Sequence, residues 1–172
     1  MSRLIIHALF ALVLGLGVLS DSHADAEGLR VEKLSYIDRQ FLDSQRARIN
    51  DLSQREFGQS FSGNKALDLA LLQRILDARL LKPSQTLELQ AMGVIMGDLL
   101  ADELHLEWVI YEDKKGRSRA LKGDQSDSYL FPITMISRRA EVGNTTPVKD
   151  IYAKAVRAIE AARPAKPYTY EK

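Results

Sequence analysis

"AMGVIMGDLLADELHLEWVIYEDKKGR", residues 91–117, changes its hydrophobic period in the middle, and that change decides the fold. Up to Leu104 the apolar residues fall almost all round a helical wheel, through Met92, Val94, Ile95, Met96, Leu99 and Leu100. A helix apolar on every side is central, buried by neighbours on several faces. Glu88, Asp98 and Asp102 interrupt it, which argues against a membrane span. From Leu106 the period becomes two, with Leu106, Trp108 and Ile110 alternating with Glu107, Val109 and Tyr111. This reads as a central strand of a small sheet.

Working outward, "EDKKGR" gives a turn ending at Gly116, and 117–122 return as a short polar strand. "KGDQSDS" is a loop tip, and 129–131 form a third strand. Pro132 fits the first turn of a helix that carries Arg138 and Arg139 at its end and stops at Gly143. A last helix covers about 148–162. On the N-terminal side, Leu34, Ile37, Phe41, Ile49 and Leu52 recur at helical intervals and predict an amphipathic helix from Val31 to about Ser53. "FGQSFSGN" is a loop, with Ser62 or Asn64 as cap of a helix running to about Leu81. "KPSQT" offers Ser84 or Thr86 as the cap of the central helix. The expected fold class is therefore α+β: three N-terminal helices, a three-stranded antiparallel meander and two C-terminal helices, with the central helix packed on the sheet.

The N-terminus addresses compartment. Arg3 precedes an apolar run over 4–19, and small residues then permit cleavage after Ala24 or Ala26. Residues 1–24 read as a secretory signal peptide, 27–163 as one α+β domain and 164–172, punctuated by proline, as a mobile tail. The run is short of a bilayer span, so no membrane contact is expected after cleavage. Without cysteine there is no lipid attachment, disulfide or thiolate chemistry. The bacterial periplasm, or the exterior, is the expected location.

The chain has 172 residues, 45% hydrophobic and 27% charged, with a net charge of +1, which recommends neither nucleic acid nor an anionic membrane as partner. His7 and His23 fall in the signal peptide, leaving His105 alone in the mature chain. A zinc site of the cysteine or multi-histidine kind is excluded, and no cofactor, metal or catalytic residue is assigned. His105, at the helix end, reads as a dipole-complementing residue. No phosphate loop, nucleophile elbow or dinucleotide fingerprint occurs, and neither "DQSDS" nor "EDKKG" has the spacing of a calcium loop.

What is left is polar clustering. Gly93 and Gly97, one turn apart, each cost about 1 kcal/mol of helix propensity. They imply close approach by a neighbouring helix or by the Trp108 strand, or else room for a ligand. Asp98 and Asp102 lie on one helical face near the negative end of the helix dipole. They need solvent, a cation from Arg117, Arg138 or Arg139, or a metal ion. Glu112 and Asp113 end the strand from which Arg117 returns, as a hairpin ion pair or as part of a binding cluster. Asp98, Asp102, Glu112, Asp113 and Arg117 are the candidate binding residues.

The order of these features, in "LQAMGVIMGDLLADELHLEWVIYEDKKGRSRAL" followed by "LFPITMISRR", resembles an uncharacterised bacterial family, the domain of unknown function 3806. The positions carrying the likeness are Gly93, Gly97, Trp108, Val109, Glu112, Asp113, Gly116, Arg117, Phe131, Pro132 and Arg139, within about 87–139. The resemblance implies an α+β unit and brings no activity or site. The expected function is a non-enzymatic periplasmic binding protein, an accessory factor or inhibitor with a protein partner. The alternatives are a small carboxylate-dependent hydrolase or lyase, with Asp98 or Glu112 as acid or base, and a small-ligand-binding protein.

Overall fold

The computed structural model describes residues 28–123 and 127–163. The stretches read as a signal peptide (1–24) and a tail (164–172), and the middle of the 122–128 loop, lie outside the described residues. The elements run β1 (Arg30–Lys33), α1 (Tyr36–Phe57), α2 (Lys65–Asp77), α3 (Thr86–Leu104), β2 (Glu107–Asp113), β3 (Gly116–Lys122), β4 (Tyr129–Leu130), α4 (Ile133–Glu141) and α5 (Val148–Ala162). The class is α+β, but the sheet has four antiparallel strands in the order β1-β2-β3-β4 rather than three. The added strand precedes the helices and occupies what periodicity assigns to the first helix. Its register pairs Val31 with Tyr111 and Lys33 with Val109.

The first helix starts later than its apolar spacing suggests because Ser35 caps it. Ser35 Oγ accepts from Asp38 N, and the Asp38 carboxylate accepts in return from Ser35 N, so the capping box fixes the start. Its buried stripe is Asp38, Leu42, Gln45, Ile49 and Ser53, one residue round from the one expected, and Ile37 is exposed. On α2, capped by Asn64, Leu71, Leu72 and Ile75 are buried while Leu67 faces out. Neither Ser84 nor Thr86 caps α3: the position falls to Gln85, which makes no side-chain cap bond.

The central place of α3 is as expected. Eleven of its residues are buried, from Leu89 to Leu104. Its main neighbours are α1 and α4, and the sheet reaches it through Trp108. The two glycines make this possible. A Cβ on Gly93 would lie 2.5 Å from the Ile133 carbonyl oxygen, at the start of α4, and one on Gly97 would run into the Trp108 ring. The loss of helix propensity is thus offset by close backbone and ring packing. His105 ends the helix in the left-handed region, with φ +54, and its amide donates to the Ala101 carbonyl oxygen.

Candidate functional site

Two cavities flank α1; a carboxylate gripped by arginine lines the first and lies behind the second. In the first, of about 380 Å³, Arg46 meets Asp98 side-on. Arg46 Nε and Nη2 donate to the two Asp98 oxygens, both at 2.7 Å, and the Trp108 indole N–H donates to Oδ1 at 3.0 Å. Arg46 also donates to Asp43 at 2.7 Å. The cation facing Asp98 is therefore Arg46, 52 residues away on α1, and not Arg117, Arg138 or Arg139. Asp68 lines the same cavity but caps the preceding loop, accepting from the amides of Ser62 and Gly63.

The other acidic positions have separate settings. Asp102 is exposed. Glu103 accepts from the Tyr152 hydroxyl at 2.5 Å and pairs with Lys65 at 3.0 Å. The Tyr152 bond holds the Glu103 carboxyl below its ordinary range, while burial, with Glu103 beside it, pushes the Tyr152 phenol up. Glu112 stands opposite Arg117 in the β2–β3 register, but Arg117 gives its salt bridge to Asp38 instead. Asp113 accepts from the Lys115 amide at 2.7 Å and so shapes the turn.

The second cavity, about 630 Å³, lies where the β2–β3 hairpin, α1 and the start of α4 meet. Lys115, Arg117, Arg119 and Arg138 line it, with Phe41, Tyr111 and Phe131 as aromatic walls. Tyr111 and Phe131 meet edge to face with centroids 5.2 Å apart. Behind it, Asp38 takes Nη2 of Arg117 at 2.7 Å and Nη2 of Arg119 at 2.8 Å, and only 2% of the Asp38 side chain is exposed. Burial pushes the Asp38 carboxyl up, but the hydrogen bonds from Arg117 and Ser35 outweigh it and hold it well below the carboxylate range. Arg119 stacks its guanidinium 3.9 Å over the Phe41 ring, and its buried Nε has no hydrogen-bond partner among the described residues. Lys115 and Arg138 are exposed and make no ion pair among the described residues.

Of the candidate binding residues, the structure brings Asp113 and Arg117 to this cleft and leaves Asp98 in the other cavity. Sequence reasoning missed Asp38, Arg46 and Arg119. The spacing of Ser35 and Asp38 was the available signal for the first, whereas nothing local marks an arginine whose partner is 52 residues distant.

Residues 68–152 match the family model described as domain of unknown function (DUF3806). This segment is similar to that family. The DUF3806 match begins on α2 and ends on α5, a wider span than the resemblance from 87–139, and it omits α1, which supplies Asp38 and Arg46. No curated protein matches the chain. A crystal structure from Bacteroides thetaiotaomicron VPI-5482, at 1.50 Å resolution, is similar with a TM-score of 0.68 and 16% identity, over 78% of this chain and 50% of that one. The likeness is one of fold, and this chain spans half the length of that one. Among the described residues no helix is long and apolar enough to cross a membrane, and no three histidine, aspartate or glutamate side chains are grouped to hold a metal ion.

Proposed function

We propose that the chain is an exported, non-enzymatic binding module that engages a periplasmic protein through the cleft between the β2–β3 turn and α4. The observation that carries this reading is the convergence of Lys115, Arg117, Arg119 and Arg138 on one cavity backed by aromatic rings. Asp38, with Glu112 and Glu32 nearby, offsets the charge of Arg117 and Arg119, so the positive charge offered to a partner comes from Lys115 and Arg138, which pair with no carboxylate among the described residues. Export rests on the basic start, apolar run and small-residue sites of residues 1–26.

Acid–base catalysis has less support. Neither cavity is lined by two of Asp98, Asp102, Glu112 and Asp113, and Asp98 is committed to Arg46 and Trp108. The test is capture of periplasmic partners on the tagged mature chain, alongside a Lys115→Glu, Arg138→Glu variant. The expected result is one stoichiometric partner retained by the parent and lost from the variant. Equal recovery by both, or recovery of nothing above background, would overturn the proposal.

A further inference from the structure

The cleft follows an incomplete edge of the sheet. Strand β4 pairs only with Leu121 and Lys122, so Gly116–Ala120 have a neighbouring strand on the β2 side alone. No backbone hydrogen bond outside that ladder reaches these five residues among the described residues. Ala120 is wholly buried, so at roughly 3.3 Å per residue Gly116–Arg119 leave about 13 Å of open edge. An open edge is a template for another strand, and most are blunted or covered. Here it runs beside a cavity rather than against a covering loop or helix.

The side chains along the edge alternate in kind. Arg117 and Arg119 point to the face that carries Asp38 and Phe41. Ser118, opposite Tyr111, points to the other face, where Tyr111 meets Phe131. Asp38 takes one Nη2 from each arginine, and a guanidinium has five N–H donors, so donors remain on both. A strand laid along the edge would put one row of its side chains against guanidinium groups and the other against aromatic rings.

Resting on the binding reading above, we infer that the cleft takes an extended acidic segment of the partner protein, added as a strand to the free edge of β3, with acidic and apolar side chains alternating. Charge selects this occupant over the others. A second copy paired edge to edge would bring two rows of Arg117 and Arg119 together, which like-charge repulsion opposes. The C-terminal residues 164–172 contain two lysines, two prolines and one glutamate, the wrong charge and too few backbone donors.

The probe is a blocked seven-residue peptide alternating glutamate with valine, added to the full mature chain while amide exchange is followed residue by residue. The expected result is slowed exchange within 116–119, absent with the lysine–valine peptide and with a glutamate–valine peptide N-methylated along its pairing edge. Affinity should fall about tenfold in the Lys115→Glu, Arg138→Glu variant and on raising salt, because both act through exposed charges. Equal binding by the N-methylated peptide, or displacement by citrate at similar concentration, would make the cleft a small-anion site and overturn strand addition. Protection already present without peptide would place the occupant in the chain itself, and overturn it too. A captured partner that is lost on charge reversal, with no peptide protecting the edge, would sink this inference and leave the binding module standing.

Discussion

Asp98 and Asp38 are both held by arginine across an α1 interface, yet the charge around them is balanced in opposite directions. At Asp98 one arginine serves two carboxylates, Asp98 and Asp43, and 32% of the Asp98 side chain is exposed. At Asp38 two arginines serve one carboxylate that is almost wholly buried. The first arrangement is self-contained: the surplus is negative and solvated, and the bidentate pair staples α1 to α3. The second leaves positive donors facing a cavity. Arginine pairing by itself is therefore no sign of a site; the leftover charge and the direction it faces are.

If that contrast is right, Asp38→Ala is the most damaging substitution. It leaves the largely buried Arg119 and the half-exposed Arg117 without their carboxylate and removes half of the capping box, for a loss of about 3 kcal/mol after allowing for the exposure of Arg117. Urea unfolding would show it. The same carboxyl predicts acid sensitivity. Its folded pKa is depressed, so its contribution is complete above the ordinary carboxylate range and fades as pH falls below about 4 toward the folded pKa. Asp38→Asn should flatten that limb of the stability profile. An unchanged limb would mean that other carboxylates control acid unfolding.

The two glycines separate the regions mechanically. Gly93→Ala pushes a methyl group against the Ile133 carbonyl oxygen, backbone that cannot swing aside, and moves the start of α4 at the cationic cleft. About 1 kcal/mol of regained helix propensity offsets part of the overpacking, leaving a net loss of about 2 kcal/mol. Gly97→Ala instead strikes the Trp108 ring that donates to Asp98, so it should shift tryptophan emission. Thermal melts with fluorescence on both variants decide this; emission shifts of the same size would blur the distinction between the two regions.

Asp98→Ala should cost less than Asp38→Ala, about 1–2 kcal/mol, because the site is a third exposed and Arg46 keeps Asp43 as a partner. The loss of the indole hydrogen bond should still register in Trp108 emission. A penalty equal to that of Asp38→Ala would abolish the contrast between a self-contained pair and an over-supplied one.

These two carboxylates also mark how far the sequence could be read. The change of period at Leu104–Leu106, the glycine spacing and the Pro132 start of α4 are local signals, and α3, β2, β3, α4 and α5 follow from them within a residue or two. The strand β1 is four residues long with a single apolar side chain, Val31, against β2, so its pairing is decided by Tyr111 and its neighbours and leaves almost no trace in its own residues. Hydrophobic spacing misplaces the stripe of α1 because three of its five buried residues are polar. Asp98 could be recognised as a carboxylate in need of a cation, since the dipole and the surrounding apolar residues are local. Naming Arg46 required the packing of α1 on α3, which no spacing encodes.

Asp102 gives the finest test of the same reasoning. It lies one turn after Asp98 on the same helix, exposed and without the arginine that Asp98 has. The influences on its charge from its own helix are unfavourable: Asp98 four residues before it, Glu103 beside it and the carbonyl end of the α3 dipole. Asp102→Asn removes those repulsions and loses no hydrogen bond among the described residues. Stability should rise by about 0.3–0.5 kcal/mol, with the gain shrinking as salt screens the exposed charge. A loss instead, reversed by adding divalent cation to the parent and not to the variant, would show that the acidic end of α3 meets a cation after all, and that the Asp98 region is not self-contained.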